Sequence, residues 1–386
     1  MPFTQFTSLD FDEIKAQIRS YLRANSNFSD FDFEGSNFSV LIDALAYNTY
    51  ISAFNSNLVV NESFLDSATL RENVVSLARN IGYVPRSKTA ARASISFNVT
   101  ANSTSSQMVL QPGLVCVGRS NDSDIVFSIS ETITANTTVN NGVATASFGS
   151  VTAPIQVLEG TFIKSQFVVD GSLEQRFILD NGNIDTSSIV AYVGTEDELG
   201  KQYKLIDNIV GITSMSDTYL IQEVQDERYE LLFGDGVFGR KPENGAVITV
   251  QYVVTSGSEG NGPTNFNFAG NFLGDNGQVI VPSSTPTINT INAASNGGDI
   301  ETIDSIKYFA PRLYSSQYRA VTARDYESIV QQVYPNTESV SVVGGEEVDP
   351  PQFGTVLITI KPKNGEFVSD FDKTQILTKL KSYSLT

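Results

Sequence analysis

The apolar residues of this chain change their spacing near residue 90, and no other feature constrains the fold as tightly. Before that point they recur every three to four positions, as in a helix with one buried face. From there to about residue 298 they alternate, as in strands with one buried face. Beyond 299 both spacings occur. The 386 residues therefore predict an α+β multidomain protein. A helical segment is expected at 1–88, a β-rich region at 89–298 and an α/β segment at 299–386.

Within the first segment, Asp10 and Glu13 have the spacing of a capping box. Phe11, Ile14, Ile18, Tyr21 and Leu22 then share one helical face. Ser36 stands where a second helix needs its cap. Phe38, Leu41, Ile42 and Leu45 form that helix's stripe, and Tyr47, Tyr50, Ile51 and Phe54 carry apolar character round the rest of the cylinder. A helix apolar on most sides is buried on most sides. A third helix is expected from about Ser67 to Ile81, ended by Gly82 and Pro85. The second helix has more apolar surface than a three-helix bundle covers. Two covers are open, another chain or the chain's own β region. The residues predicted to meet a partner are Phe11, Ile14, Ile18, Phe38, Leu41, Leu45, Tyr50 and Phe54. Asn48, a turn past the stripe, is either simply exposed or buried so as to fix register between helices.

Alternating segments at Ala93–Val99, Phe162–Val169 and Ala246–Val253 indicate antiparallel strands. Asn140-Asn141-Gly142 and Asp235-Gly236 are tight-turn signals. Two polar stretches, 101–107 and 255–290, predict extended loops or arms. After 299, one helix is expected from Glu301 to about Tyr314, kinked or ended near Pro311, and a second is capped by Thr322. Strands at Thr337–Val343 and Thr355–Ile360 follow, and then a helix from about Phe371 to Leu380 with Ile376, Leu377 and Leu380 inward. Helix–strand–strand–helix is part of a ferredoxin-like split fold, here incomplete. Its further strand would come from another chain or from residues beyond 386.

The chemistry open to such a chain is narrowed by what it lacks. It has no His and one Cys, so a Ser-His-Asp triad, a His-ligated metal, a Cys cluster and a disulfide framework are all excluded. Forty-three acidic against 25 basic residues leave a net charge of −18, which argues against nucleic-acid partners and a polybasic membrane anchor. No apolar run reaches the roughly 18–20 residues of a membrane span. MPFTQFTSLDFDE lacks the basic region and apolar core of a signal peptide. No catalytic residue, cofactor or metal site is predicted.

Three motifs need weighing. Gly234-Asp235-Gly236-Val237-Phe238-Gly239 fits the dinucleotide pattern, but no helix opens after it, so a hairpin turn is the better reading. Glu346, Glu347 and Asp349, or Asp180 and Asp185, could in a cleft run glycoside hydrolysis. Among 43 acidic residues such pairs arise by chance. Cys116, inside Leu114-Val115-Cys116-Val117, is expected in a core.

An ordered series of segments then carries a resemblance. It runs from Asp32-Phe33-Glu34-Gly35-Ser36 through Leu41–Thr49, Glu62-Ser63-Phe64, Ala68-Thr69-Leu70-Arg71 and Gly82-Tyr83-Val84-Pro85, with Ser87-Lys88. Phe233–Gly236 with the strand at Val247–Val253, Gly257–Gly262 and Arg319–Tyr326 continue it. Together they resemble the T4-type phage baseplate wedge subunits of the baseplate J-like family of contractile tails. The resemblance implies a structural virion protein of the tail baseplate, assembled in the host cytoplasm and without catalytic activity. Its implied partners are a second copy of itself, other wedge subunits met through a helical core bundle, and sheath-proximal baseplate proteins. It further implies a ring around the hub that relays the change starting sheath contraction. T4-type members continue past the point matching Leu385, through a region used for self-association. The alternative from the residues alone is a tail-associated glycan-binding or glycan-degrading protein using paired carboxylates.

Overall fold

A computed structural model describes residues 10–24, 37–120, 123–172, 175–196, 198–206, 211–317, 319–334, 337–363, 368 and 370–383. Ser36 and the expected helix end at Asn25–Asn27 lie outside them. The chain forms two compact units: Met1–Tyr83 with Ile303–Ser315, and Val84–Thr302 with Ser316–Thr386.

The first unit holds α1 (Phe11–Ala24), α2 (Asn37–Glu62), α3 (Arg71–Asn80) and α4 (Ile303–Ser315). The Asp10 carboxylate accepts from the N–H groups of Asp12 (2.9 Å) and Glu13 (3.1 Å), which caps α1. The α3 helix starts four residues later than its apolar spacing suggests. Ser67 and Ala68 N–H donate to Phe64 O in a separate turn, and the Ser67 hydroxyl donates to Asn61 O at 2.7 Å. At the other end Gly82 is left-handed (φ +81°). Its N–H donates to Arg79 O and that of Tyr83 to Ala78 O, the double closure of a Schellman motif. The α4 helix runs through Pro311 to Ser315, so of the kink or end expected near Pro311 the end is excluded.

The second unit is mostly β. Its first sheet begins with β1 (Arg92–Asn102), β2 (Gln107–Leu110), β3 (Gly113–Ser120), β4 (Ser123–Ile129), β5 (Ile133–Asn140), β6 (Val143–Phe148) and β7 (Ile155–Glu159). The chain then builds a second sheet from β8 (Thr161–Val168), β9 (Phe177–Ile178), β10 (Ile184–Gly194), β11 (Lys201–Leu205), β12 (Thr218–Glu223), β13 (Tyr229–Phe233) and β14 (Val247–Val254). It returns to the first sheet with β15 (Phe266–Phe268), β16 (Phe272–Gly274), β17 (Val279–Ile280) and β18 (Ile288–Ser295). Pairing is antiparallel except between β11 and β12, which run parallel. The Asn141-Gly142 turn joins β5 to β6 with both residues at positive φ, as a two-residue hairpin requires.

The return through 255–290 corrects the expectation of an arm. Its strands pair with β3, β2 and β1. Phe268 lies 5.1 Å from both Phe97 and Phe272, so aromatic anchors fasten the polar stretch to the first core. That core gathers Ile95, Phe97, Val99, Phe127, Phe148 and Val157; Cys116 is in it, and burial pushes its thiol up to about 12. A separate core under the second sheet gathers Leu179, Ile184, Tyr203, Tyr219, Ile248 and Tyr252.

The C-terminal part of this unit has α5 (Ala323–Val333), β19 (Thr337–Gly344), β20 (Val356–Pro362) and α6 (Asp370–Tyr383). Thr322 and Asp325 form a reciprocal capping box at α5. The two strands pair antiparallel. Ile376 and Leu380 are buried; Leu377, expected inward, is exposed.

Candidate assembly surface

The helix α2 has 26 residues and is about 39 Å long at 1.5 Å per residue. One narrow strip of it is buried: Ser39, Ile42, Ala46, Asn57 and Asn61. Most of the rest faces outward, and its large exposed side chains are apolar, interrupted by Asn48, Thr49, Ser52, Asn55 and Ser56. Phe38, Leu41, Leu45 and Val59 lie along one flank, and Val40, Tyr47, Ile51 and Phe54 along another. Leu41 and Leu45 are 57% and 56% exposed. Monomeric proteins rarely leave a contiguous apolar patch of more than a few hundred Å² open to water.

Uncharged polar residues, Asn48, Ser52 and Asn55 among them, are also exposed on α2. Its two charged side chains, Asp43 and Glu62, are engaged within the unit. Asp43 pairs with Lys15 of α1. The Glu62 carboxylate closes the start of α3, accepting from Thr69 N (2.8 Å), Thr69 Oγ1 (2.7 Å), Leu70 N (3.3 Å) and Asn73 Nδ2 (2.8 Å). Burial alone would raise the Glu62 carboxyl, but the Asn73, Thr69 and Leu70 donors outweigh it and hold it below the usual carboxylate range. The hydroxyls of Thr49, Ser56 and Ser63 turn back onto carbonyls four residues earlier.

The other motifs make no comparable site. In Gly234–Gly239 the Asp235 carboxylate accepts from Phe238 N and Val237 N, both at 2.8 Å, and these bonds keep its carboxyl low. A Cβ on Gly234 would lie 2.2 Å from the Gly239 carbonyl carbon, so the turn closes on itself. The segment leads into β14, a strand, and lacks the helix N-terminus that a pyrophosphate needs. It is also not the hairpin expected from sequence. The flanking β13 and β14 are not neighbours in their sheet, because β10, β11 and β12 lie between them. Glu346 and Glu347 sit exposed in a short turn, Asp180 is exposed, and Asp185 is buried with its oxygens on neighbouring N–H and hydroxyl donors.

The comparisons with known proteins meet this geometry at α2. Residues 10–83 match the family described as "Baseplate wedge protein gp6-like, helical domain", and residues 322–386 match "Baseplate structural protein gp6, C-terminal domain I". Baseplate wedge protein gp6 of Enterobacteria phage T4 is 28% identical over 400 aligned residues, which cover 98% of this chain. In these segments the chain is similar to the T4-type baseplate wedge subunits. It spans 58% of the length of that T4 protein. A chain in the cryo-EM structure of the anti-feeding prophage baseplate matches 99% of this chain and 78% of its own, at 12% identity and a TM-score of 0.32, too low to support an argument.

All eight residues predicted to meet a partner fall in the segment matched by the wedge helical domain. Phe38, Leu41, Leu45 and Phe54 are exposed on α2, and Tyr50 is half-buried there. On α1, Phe11 and Ile18 are half-buried and Ile14 is buried, so Ile14 is already spent inside the chain. Asn48 is exposed, while the buried amides of α2 are Asn57 and Asn61. Val40, Tyr47, Ile51 and Val59 belong to the exposed surface but not to the predicted set. The apolar character of Tyr47 and Ile51 was visible in the sequence; which side of the helix the chain itself covers was not.

Proposed function

We propose that this chain is a structural subunit of a contractile phage tail baseplate, located in the virion and without a catalytic role. The observation that carries the reading is the uncharged apolar surface of α2, exposed along a helix in the segment that matches the wedge helical domain. Interfaces of stable assemblies are apolar at their centre and depleted in charge, as this surface is. In this reading the segment 1–88 enters a helical core bundle with a second copy and other wedge subunits. The β-rich region 89–298 and the α/β segment 299–386 supply contacts to neighbouring wedges and sheath-proximal proteins, and pass on the displacement that starts sheath contraction. The order α5–β19–β20–α6 is read as part of a ferredoxin-like split fold, incomplete within this chain.

Native mass spectrometry of the chain co-expressed with neighbouring tail proteins tests the proposal. A defined heteromer containing two copies of this chain is the expected result. A stable monomer that ignores every tail protein would overturn it.

A further inference from the structure

The two β sheets of the second unit have separate apolar cores, and buried polar groups, Glu159, Asp185 and Thr255, lie near the points where the chain passes between them. The chain crosses from the first sheet to the second at Gly160-Thr161 and returns at Val254-Thr255. Thr161 and Val254 are register partners, so both crossings form one narrow neck with β14 at its centre, between β8 and β10. Beside the neck, β8 also lies against β3 and β4. Gly160 bonds to the first sheet, its N–H donating to Val126 O and its carbonyl accepting from the Ser128 hydroxyl, both at 2.8 Å. The element-terminal residues at the two crossings are where a hinge would act.

Two carboxylates flank this neck. On the β8 side, Glu159 is 3% exposed. It accepts from the Thr255 hydroxyl and from Ser256 N at 3.1 Å, and its own N–H donates to Ala91 O at 2.7 Å. On the β10 side, Asp185 is 1% exposed. It reaches back to the segment just before β1 by accepting from Ala90 N at 3.0 Å, while Ser187 N and Oγ hold its other oxygen at 2.9 and 2.6 Å. The adjoining Thr186 exchanges a 2.8 Å hydrogen bond with Ser87. Gly160 admits no side chain, since a Cβ there would lie 2.1 Å from Val254 O.

We infer that Glu159 and Asp185 act as a pair of latches, one on each side of the strand neck, that lock the two β bodies into a single rigid lever. Bonds to charged acceptors are directional and stronger than neutral ones, so they fix an angle where an apolar contact would permit sliding. With both sides of the neck held, rotation about β14 has no free direction. The inference stands without the baseplate reading; within it, the lever is what would carry displacement from one wedge contact to another.

The test is a spin-label distance between the bodies in the full chain. Thr138→Cys on β5 and Gln202→Cys on β11 supply exposed sites, and buried Cys116 takes no label. The parent should give one narrow distance distribution. Glu159→Ala with Asp185→Ala should lose it while circular dichroism keeps its β signal. A broad distribution in the parent, or an unchanged narrow one in the folded variant, overturns the inference. If the double alanine variant fails to fold, Glu159→Gln with Asp185→Asn keeps shape and removes charge. Loss of the narrow distribution supports the latches there too, and its retention overturns them.

Discussion

Glu62 holds the start of α3 from the last position of α2, and its hydrogen bonds tie its charge to the stability of the helical unit. Its folded-state carboxyl lies below the ordinary value of 4.5. The stabilisation is therefore fully present above that value and is lost as pH falls through the lowered one. Glu62→Gln should lower the stability of the helical unit by about 0.5–1 kcal/mol at neutral pH, solvent screening the partly exposed carboxylate, and flatten its loss of stability in acid. Helical circular dichroism against denaturant at pH 7 and pH 3 measures both, and equal curves for parent and variant at pH 7 would contradict the assignment. Other end signals were legible in the sequence. Asp10, Gly82 and Thr322 act on backbone within a few positions, so spacing reveals them. Glu62 acts on partners seven to eleven residues away, across a turn whose shape is not written in any local pattern.

At the scale of elements, α2 makes a clean experiment because Leu41 and Leu45 are already exposed. Leu41→Asp with Leu45→Asp removes apolar surface from a partner but not from the chain's own core. Each buried Leu contributes about 1.5–3 kcal/mol to whatever covers it. The double variant should therefore lose assembly with other tail proteins while its melting temperature stays within a few degrees of the parent. A variant that still assembles would move the interface off this flank. The type of nearly every long element was legible from periodicity. The strands of 255–290 were not: Phe266–Phe268, Phe272–Gly274 and Val279–Ile280 are too short to show alternation, and polar residues surround them. The first two are anchored by aromatic side chains, Phe266 on Phe127 and Phe268 and Phe272 on Phe97, residues well over 100 positions earlier in the chain. For the same reason the sequence could mark α2 as over-apolar but could not tell Ile14, which is covered, from Leu41, which is not.

At the scale of the molecule, separate cores imply separate transitions. The helical unit buries Ile42, Val74, Ala78 and Ile306, and the β bodies bury their own aromatic clusters. Denaturation followed in parallel by helical circular dichroism and by near-ultraviolet Tyr signal should give non-coincident curves, and coincident ones would show a single cooperative unit. The helical unit is also discontinuous: α4, whose Ile306, Ala310 and Leu313 are buried, packs on α3 but lies beyond all eighteen strands of the two large sheets. A ribosome adding about 5–20 residues per second spends roughly 10–45 s between Tyr83 and Ile303. For that interval α3 is without its last helix while both β bodies are emerging behind it. The order of synthesis thus leaves the helical unit without α4 until both β bodies have been made.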